Sequence, residues 1–139
     1  MDLKLKGKRA LITGATRGMG RAIAETLAGE GCNLSICARK EKEVAATVES
    51  LQAKGITAYG AAVDVTRDAE VKDWVAKSAE QLGGLDIIVS NVGAMDLGTG
   101  RDSWEKNFDL DVMGLVNLVE AGETFLEDAA KENGDAAIV

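Results

Sequence analysis

Arg9-Ala10-Leu11-Ile12-Thr13-Gly14-Ala15-Thr16-Arg17-Gly18-Met19-Gly20 is the stretch that decides how this chain is read. A short apolar run meets Gly14, Gly18 and Gly20, and a helical period starts at once, with Met19, Ile23 and Leu27 at i, i+4 and i+8. Taken without their flanks, the glycines would be turn residues and no more. Between a strand and a helix they have a mechanical purpose. They make the turn tight, bring backbone close to a diphosphate, and seat the helix on the strand, while the helix N-terminus offers amide donors and positive dipole. The stretch therefore predicts a nucleotide phosphate site, held by Gly14, Thr16, Arg17, Gly18, Met19 and Gly20. Arg21 follows Gly20 where a kinase or ATPase loop needs Lys and then Ser or Thr, which disfavours that chemistry.

Outward from this junction the chain alternates short β-rich runs with longer helical ones, the form taken by repeated βαβ units and a parallel sheet covered on both faces. Strands are expected at about Arg9–Thr13, Asn33–Cys37, Thr57–Val63, Leu85–Ser90 and Ala136–Val139. Four helices are expected between them. The second carries Val44, Val48 and Leu51, and the third Val71, Trp74, Val75 and Leu82 before Gly83-Gly84. The fourth opens at Asp102 with Glu105 as a capping-box partner and runs through Trp104, Phe108, Leu115 and Val119. The fold class is α/β, a doubly wound parallel sheet, in a single domain over residues 1–139.

Composition narrows the function. With 16 Lys plus Arg against 23 Asp plus Glu the net charge is −7, unsuited to a nucleic-acid binder or a protein held on an anionic membrane. There is no His, so catalysis by His is excluded. Cys32 and Cys37 stand alone at C-x4-C spacing, which supports neither a metal site nor a disulfide framework and fits a reduced, cytoplasmic setting. The N-terminal stretch Met1–Arg9 alternates charged and apolar residues and lacks a signal-peptide core. No apolar run approaches the roughly 18 residues of a membrane span.

Thr13 to Gly20 resembles the T-G-x-x-x-G-x-G fingerprint of the short-chain dehydrogenase/reductase family. Three later segments fall in that family's order: Asp64-Val65, Asn91-Val92-Gly93, and Trp104 to Gly114. The resemblance spans nearly the whole chain and implies a Rossmann-like fold. It further implies that Asp64 and Val65 contact the adenine, that Asn91 and Gly93 line the riboses, and that family members pair through the fourth helix as dimers or tetramers. Val92 stands where the family usually has Ala.

The end of the second strand separates the two nicotinamide coenzymes, because an acid there binds the ribose 2′-hydroxyl and repels a 2′-phosphate. Here the sequence is Cys37-Ala38-Arg39-Lys40, with no acid before Glu41. Arg17 and Arg39 could form a clamp for the extra phosphate; the lesser alternative is that Arg39 and Lys40 are solvated charges at a helix start. By resemblance the pattern is that of NADP(H) members, with NAD(H) the lesser expectation.

Trp104, Phe108, Asp111 and Leu115 lie at i, i+4, i+7 and i+11, which puts Asp111 on an apolar stripe where a carboxylate needs a partner. Its position resembles that of the family's catalytic Asn, which bonds to backbone and holds a water in a proton relay. Asp111 is thus expected either to pair with the family's Lys or to stand in for the Asn as a neutral group; the alternative is an edge-of-stripe acid that reaches solvent. The family's Ser and Tyr-x-x-x-Lys do not occur. Tyr59, the one tyrosine, has Val63 at i+4 and falls on the third strand.

The expectation is therefore the N-terminal portion of a longer enzyme that interconverts a small alcohol and carbonyl using NADP(H). It would be cut in its fifth strand, with later strands missing, and inactive alone. The alternative is a non-catalytic NADP(H)-binding sensor on the same fold. A methyltransferase ranks last, since it would need an acid after the second strand.

Overall fold

The computed structural model describes residues 3–139; Met1 and Asp2, where the charged N-terminal stretch begins, lie outside the described residues. Strands β1 (Arg9–Thr13), β2 (Asn33–Ala38), β3 (Ala58–Ala62), β4 (Ile87–Val89) and β5 (Ala137–Ile138) form one parallel sheet in the order β3-β2-β1-β4-β5. Helices α1 (Gly18–Gly29), α2 (Glu41–Gln52) and α3 (Asp68–Leu82) fill the first three crossovers. The fourth crossover is a single rod. It comprises α4 (Arg101–Phe108), a π-helical turn (Asp109–Met113) and α5 (Gly114–Asn133), with helical backbone at both joints.

Alternation along β1 builds two cores, because successive strand side chains point to opposite faces. Ala10 and Ile12 pack with Ala24 and Ala28 of α1 and Val44 and Leu51 of α2. Leu11 packs with Val71, Trp74 and Val75 of α3 and Leu118 and Leu126 of α5. The α3 layer is keyed to the sheet by a buried chain of hydrogen bonds. Trp74 Nε1 donates to Ser35 Oγ (3.0 Å), the Ser35 and Ser78 hydroxyls lie 2.6 Å apart, and Ser78 Oγ donates to the Trp74 carbonyl (2.6 Å). Every polar atom in it has a partner, so the register of α3 on β2 is specified rather than merely tolerated.

The ends of β1 and β4 opposite the glycine turn are locked by an ion pair. The Arg9 backbone N–H and Nε donate to Asp86 Oδ2 (2.9 and 2.8 Å), and Arg9 Nη2 and Asn133 Nδ2 donate to Oδ1 (3.1 and 2.8 Å). Arg9 also donates to the Gly83 carbonyl. Burial alone would push the Asp86 carboxyl up, but the bonds from Arg9 outweigh it and hold the group below its ordinary value.

Several expectations need correction. Strands β3, β4 and β5 are shorter than the apolar runs suggest, and Asp86 stands just before β4 rather than within a strand. The buried line of α1 is Gly20, Ala24 and Ala28, one position from the expected stripe, with Met19 77% exposed. Small residues let the helix backbone settle close on the sheet, and Ile23 and Leu27 only flank that contact. Helix α4 begins after Gly100, and no side chain caps it, so the Asp102–Glu105 capping box does not form. Helix α3 likewise starts after Arg67 without a side-chain cap.

The largest difference is the stripe of the fourth helix. Trp104 and Phe108 are 71% and 54% exposed, and α4 buries no residue at all. The sheet-facing line of the rod is instead Gly114, Leu118, Gly122, Leu126 and Ala129. The half-buried residues upstream, Ser103, Asn107 and Leu110, continue that line through the π-turn, so the expected stripe lies one position off it along its whole length. Among the described residues, no helix is long and apolar enough to cross a membrane, and no group of side chains could hold a metal ion.

Candidate nucleotide-binding site

The chain winds from β1 outward to β3, then returns to place β4 on the other side of β1. The order reverses between β1 and β4, and in open α/β sheets the crevice at the carboxyl ends of such strands takes ligands. The glycine turn lies at that point.

Two neighbours hold the turn in shape. The Cys37 carbonyl at the end of β2 accepts from the Gly14 and Ala15 amides (2.9 and 3.3 Å). From the β4 side, buried Thr13 Oγ1 accepts from the Asn91 and Val92 amides (2.9 and 3.2 Å), while Asn91 Nδ2 donates to the Thr13 and Gly14 carbonyls (3.1 and 3.3 Å). Burial between these strands pushes the Cys37 thiol up to about 12, which leaves it protonated and inert at neutral pH.

Two of the glycines meet different demands. Gly18 has φ +57° and open space beside it, a left-handed residue on the exposed side of the turn. Gly20 has ordinary φ but no room, since a Cβ there would meet the Gly14 carbonyl and come within 2.5 Å of Asn91 Nδ2. Helix α1 therefore starts in direct contact with the turn. Its first backbone bond is Arg21 N–H to the Arg17 carbonyl (3.3 Å), so the Gly18, Met19 and Gly20 amides precede the ladder. No side chain caps this end and no acid lies in its first turn. An uncapped, acid-free helix start beside a glycine turn is suited to an anion.

The flank beyond β2 carries Arg17, Arg39 and Lys40, all exposed. It also carries an acid that the sequence reading passed over. Glu43, in the first turn of α2, accepts from Lys40 Nζ (2.8 Å) and from Thr16 Oγ1 (3.4 Å). The signal was available, because i to i+3 spacing returns Glu43 to the side of Lys40.

At the end of β3, Asp64 folds over its own turn, Oδ1 accepting from the Thr66 amide and hydroxyl (3.0 and 2.7 Å). Those bonds, with Arg67 and Arg39 nearby, hold its carboxyl below the usual range. Val65 is buried in the core, and its carbonyl accepts from Asn117 Nδ2 (3.0 Å).

Asp111 sits in the π-turn, exposed, so the desolvation expected of a buried stripe does not apply to it. Its Oδ1 accepts from the Ala94 amide at 2.6 Å and would lie 3.7 Å from a Cβ on Gly93. The loop after β4 is pinned further along, where Asn107 Nδ2 donates to the Asp96 carbonyl (3.0 Å) and Asp96 Oδ1 accepts from the Gly98 amide (3.0 Å). Glycine turn, Asn91, Gly93 and Asp111 thus meet at one end of the sheet, while Tyr59 lies on β3, the outermost strand.

A parallel doubly wound sheet with this turn at its switch point defines a Rossmann-like α/β protein of the nucleotide-binding kind. The family model described as short chain dehydrogenase matches residues 8–139, and the chain belongs to that family. It is 41% identical over 126 residues to isoepoxydon dehydrogenase patN of Penicillium expansum, covering 88% of this chain and 49% of the relative. The chain spans about half the length of the curated relatives it matches. Among solved structures, carveol dehydrogenase of Mycobacterium avium in complex with NAD superposes with TM-score 0.83 at 29% identity, covering 91% of this chain and 52% of that one. A blue fluorescent protein from a metagenomic library in complex with NADPH superposes with TM-score 0.79 at 30% identity, covering 86% and 51%.

Proposed function

We propose that residues 1–139 are the coenzyme-binding portion of a longer oxidoreductase that moves a hydride between NADP(H) and a small alcohol or carbonyl compound. The observation that carries this reading is the α1 N-terminus, uncapped and free of acids, abutting a turn in which Gly20 has no room for a side chain. Such a cradle fits a diphosphate: first-turn amides can donate to its oxygens and the helix dipole favours its charge. Solved relatives bound to NAD or NADPH support a nicotinamide coenzyme.

In this reading the backbone of Gly14, Thr16, Gly18, Met19 and Gly20 holds the diphosphate, and the Arg17 and Arg39 side chains take the 2′-phosphate. Asp64 and Val65 face the adenine. Gly93 borders the riboses, and Asn91, whose amide hydrogens are spent on Thr13 and Gly14, acts there by fixing the turn. When bound, the coenzyme supplies the hydride donor or acceptor. Asp111 anchors the loop after β4 through Ala94 and leaves its second oxygen to hold a water of the proton relay. The Ser, Tyr and Lys of the family's chemistry belong to the remainder of the protein. The exposed apolar face of Trp104, Phe108 and Val112 is where two copies would pair, and the protein would act in the cytoplasm.

The test is titration of the full-length protein with NADPH and NADH, as wild type and as Arg17→Ala and Arg39→Ala. Losing a charged hydrogen bond to phosphate is expected to weaken NADPH binding by about 10- to 100-fold and to spare NADH. Binding of neither nucleotide, or equal losses for both, would overturn the proposal.

A further inference from the structure

The flank that would receive a 2′-phosphate contains its own anion. Glu43 reaches out of α2 to bridge two loops, accepting from Thr16 Oγ1 in the glycine turn (3.4 Å) and from Lys40 Nζ after β2 (2.8 Å). Lys40, chiefly through that hydrogen bond, with Thr16 and Arg17 adding to it, holds the Glu43 carboxyl below the usual carboxylate range, so it is ionised at neutral pH. The adenosine ribose of a dinucleotide lies between these same loops, its 2′ position toward the end of the second strand. The carboxylate thus occupies Thr16 and Lys40, the two donors that flank the Arg17 and Arg39 pair assigned to a 2′-phosphate.

We propose that Glu43 is a specificity-determining residue that weakens NADP(H) relative to NAD(H) by competing with the 2′-phosphate for Thr16 and Lys40. The inference rests on the coenzyme site proposed above and adds to it an opposing element. A 2′-phosphate must displace the carboxylate or share its cations, and both routes cost affinity through like-charge repulsion. A 2′-hydroxyl meets no such conflict, because it can donate to the carboxylate. Arginines therefore pull toward the phosphorylated coenzyme and Glu43 pulls back, which narrows the preference.

The probes are 2′,5′-ADP and 5′-AMP, titrated into the full-length protein as wild type and as Glu43→Gln. Gln keeps the size of the side chain, and the position is exposed, so folding is unaffected. The expected result is a rise in 2′,5′-ADP affinity of about three- to tenfold, the scale of one solvent-screened charge, with 5′-AMP unchanged or slightly weaker. An unchanged or reduced 2′,5′-ADP affinity, or an equal gain for both probes, overturns the role of Glu43 and leaves the coenzyme site standing. Binding of neither probe to either protein overturns the coenzyme site itself, and this inference with it.

Discussion

Replacing Gly20 by Ala tests whether close seating of α1 on the glycine turn shapes the site. The added methyl would stand against the Gly14 carbonyl, 2.9 Å from the Gly14 carbonyl carbon and 2.5 Å from Asn91 Nδ2. Two of those atoms are backbone and cannot swing aside, so α1 must lift or the Asn91–Gly14 bond must break. Overpacking of this kind costs about 1–3 kcal/mol, and a lost hydrogen bond about 1 kcal/mol. Alanine's better helix propensity returns up to about 1 kcal/mol, leaving a net loss of about 1–3 kcal/mol.

The same displacement carries the first-turn amides away from the diphosphate, and each charge-assisted bond weakened there is worth about 1.5–3 kcal/mol, so nucleotide affinity should fall at least about tenfold. Gly29→Ala is the control. It lies on the same helix with no atom near a new Cβ and no left-handed φ, and should be neutral or stabilising by up to about 1 kcal/mol. Urea unfolding and nucleotide titration of the full-length protein measure both effects. If Gly20→Ala matches Gly29→Ala in stability and in affinity, the contact does not shape the site.

Further outcomes concern other parts of the fold. Asp111→Asn retains an oxygen to accept from Ala94, so stability should hold while the pH profile of kcat changes shape; an unaltered profile would remove Asp111 from any proton relay. Asp86→Ala strands Arg9 and Asn133 and should cost about 3 kcal/mol in urea unfolding. Because the folded Asp86 carboxyl lies below its unfolded value, its stabilisation is complete above the ordinary carboxylate range. It should drain away as pH falls through the folded value, whereas the Ala variant lacks that acid-dependent component. Trp104→Glu places a charge on the exposed α4 face and should lower the oligomeric state seen by sedimentation; unchanged assembly would move the interface elsewhere.

The sequence alone was enough for the architecture and for where the glycine turn falls in it. Strand runs, glycine stops and the Thr13–Gly20 turn are local signals, fixed by backbone geometry and by which residues each element must bury, so they survive translation into three dimensions. It also carried the cation pattern at Arg17 and Arg39 and the departure from Asn at Asp111.

Only the tertiary structure decided what those residues touch. Neither the bond from Thr16 to Glu43 nor the inward use of Asn91 can be read from spacing, because each depends on loops brought together from distant parts of the chain. The stripe through Trp104, Phe108 and Asp111 shows the opposite failure: periodicity placed it on a buried face, and the rod turns the adjacent line inward instead, burying Gly114 and Leu118 while Leu115 stays exposed. A helical repeat states which residues share a face, but packing against the rest of the chain chooses whether that face meets the sheet or the solvent.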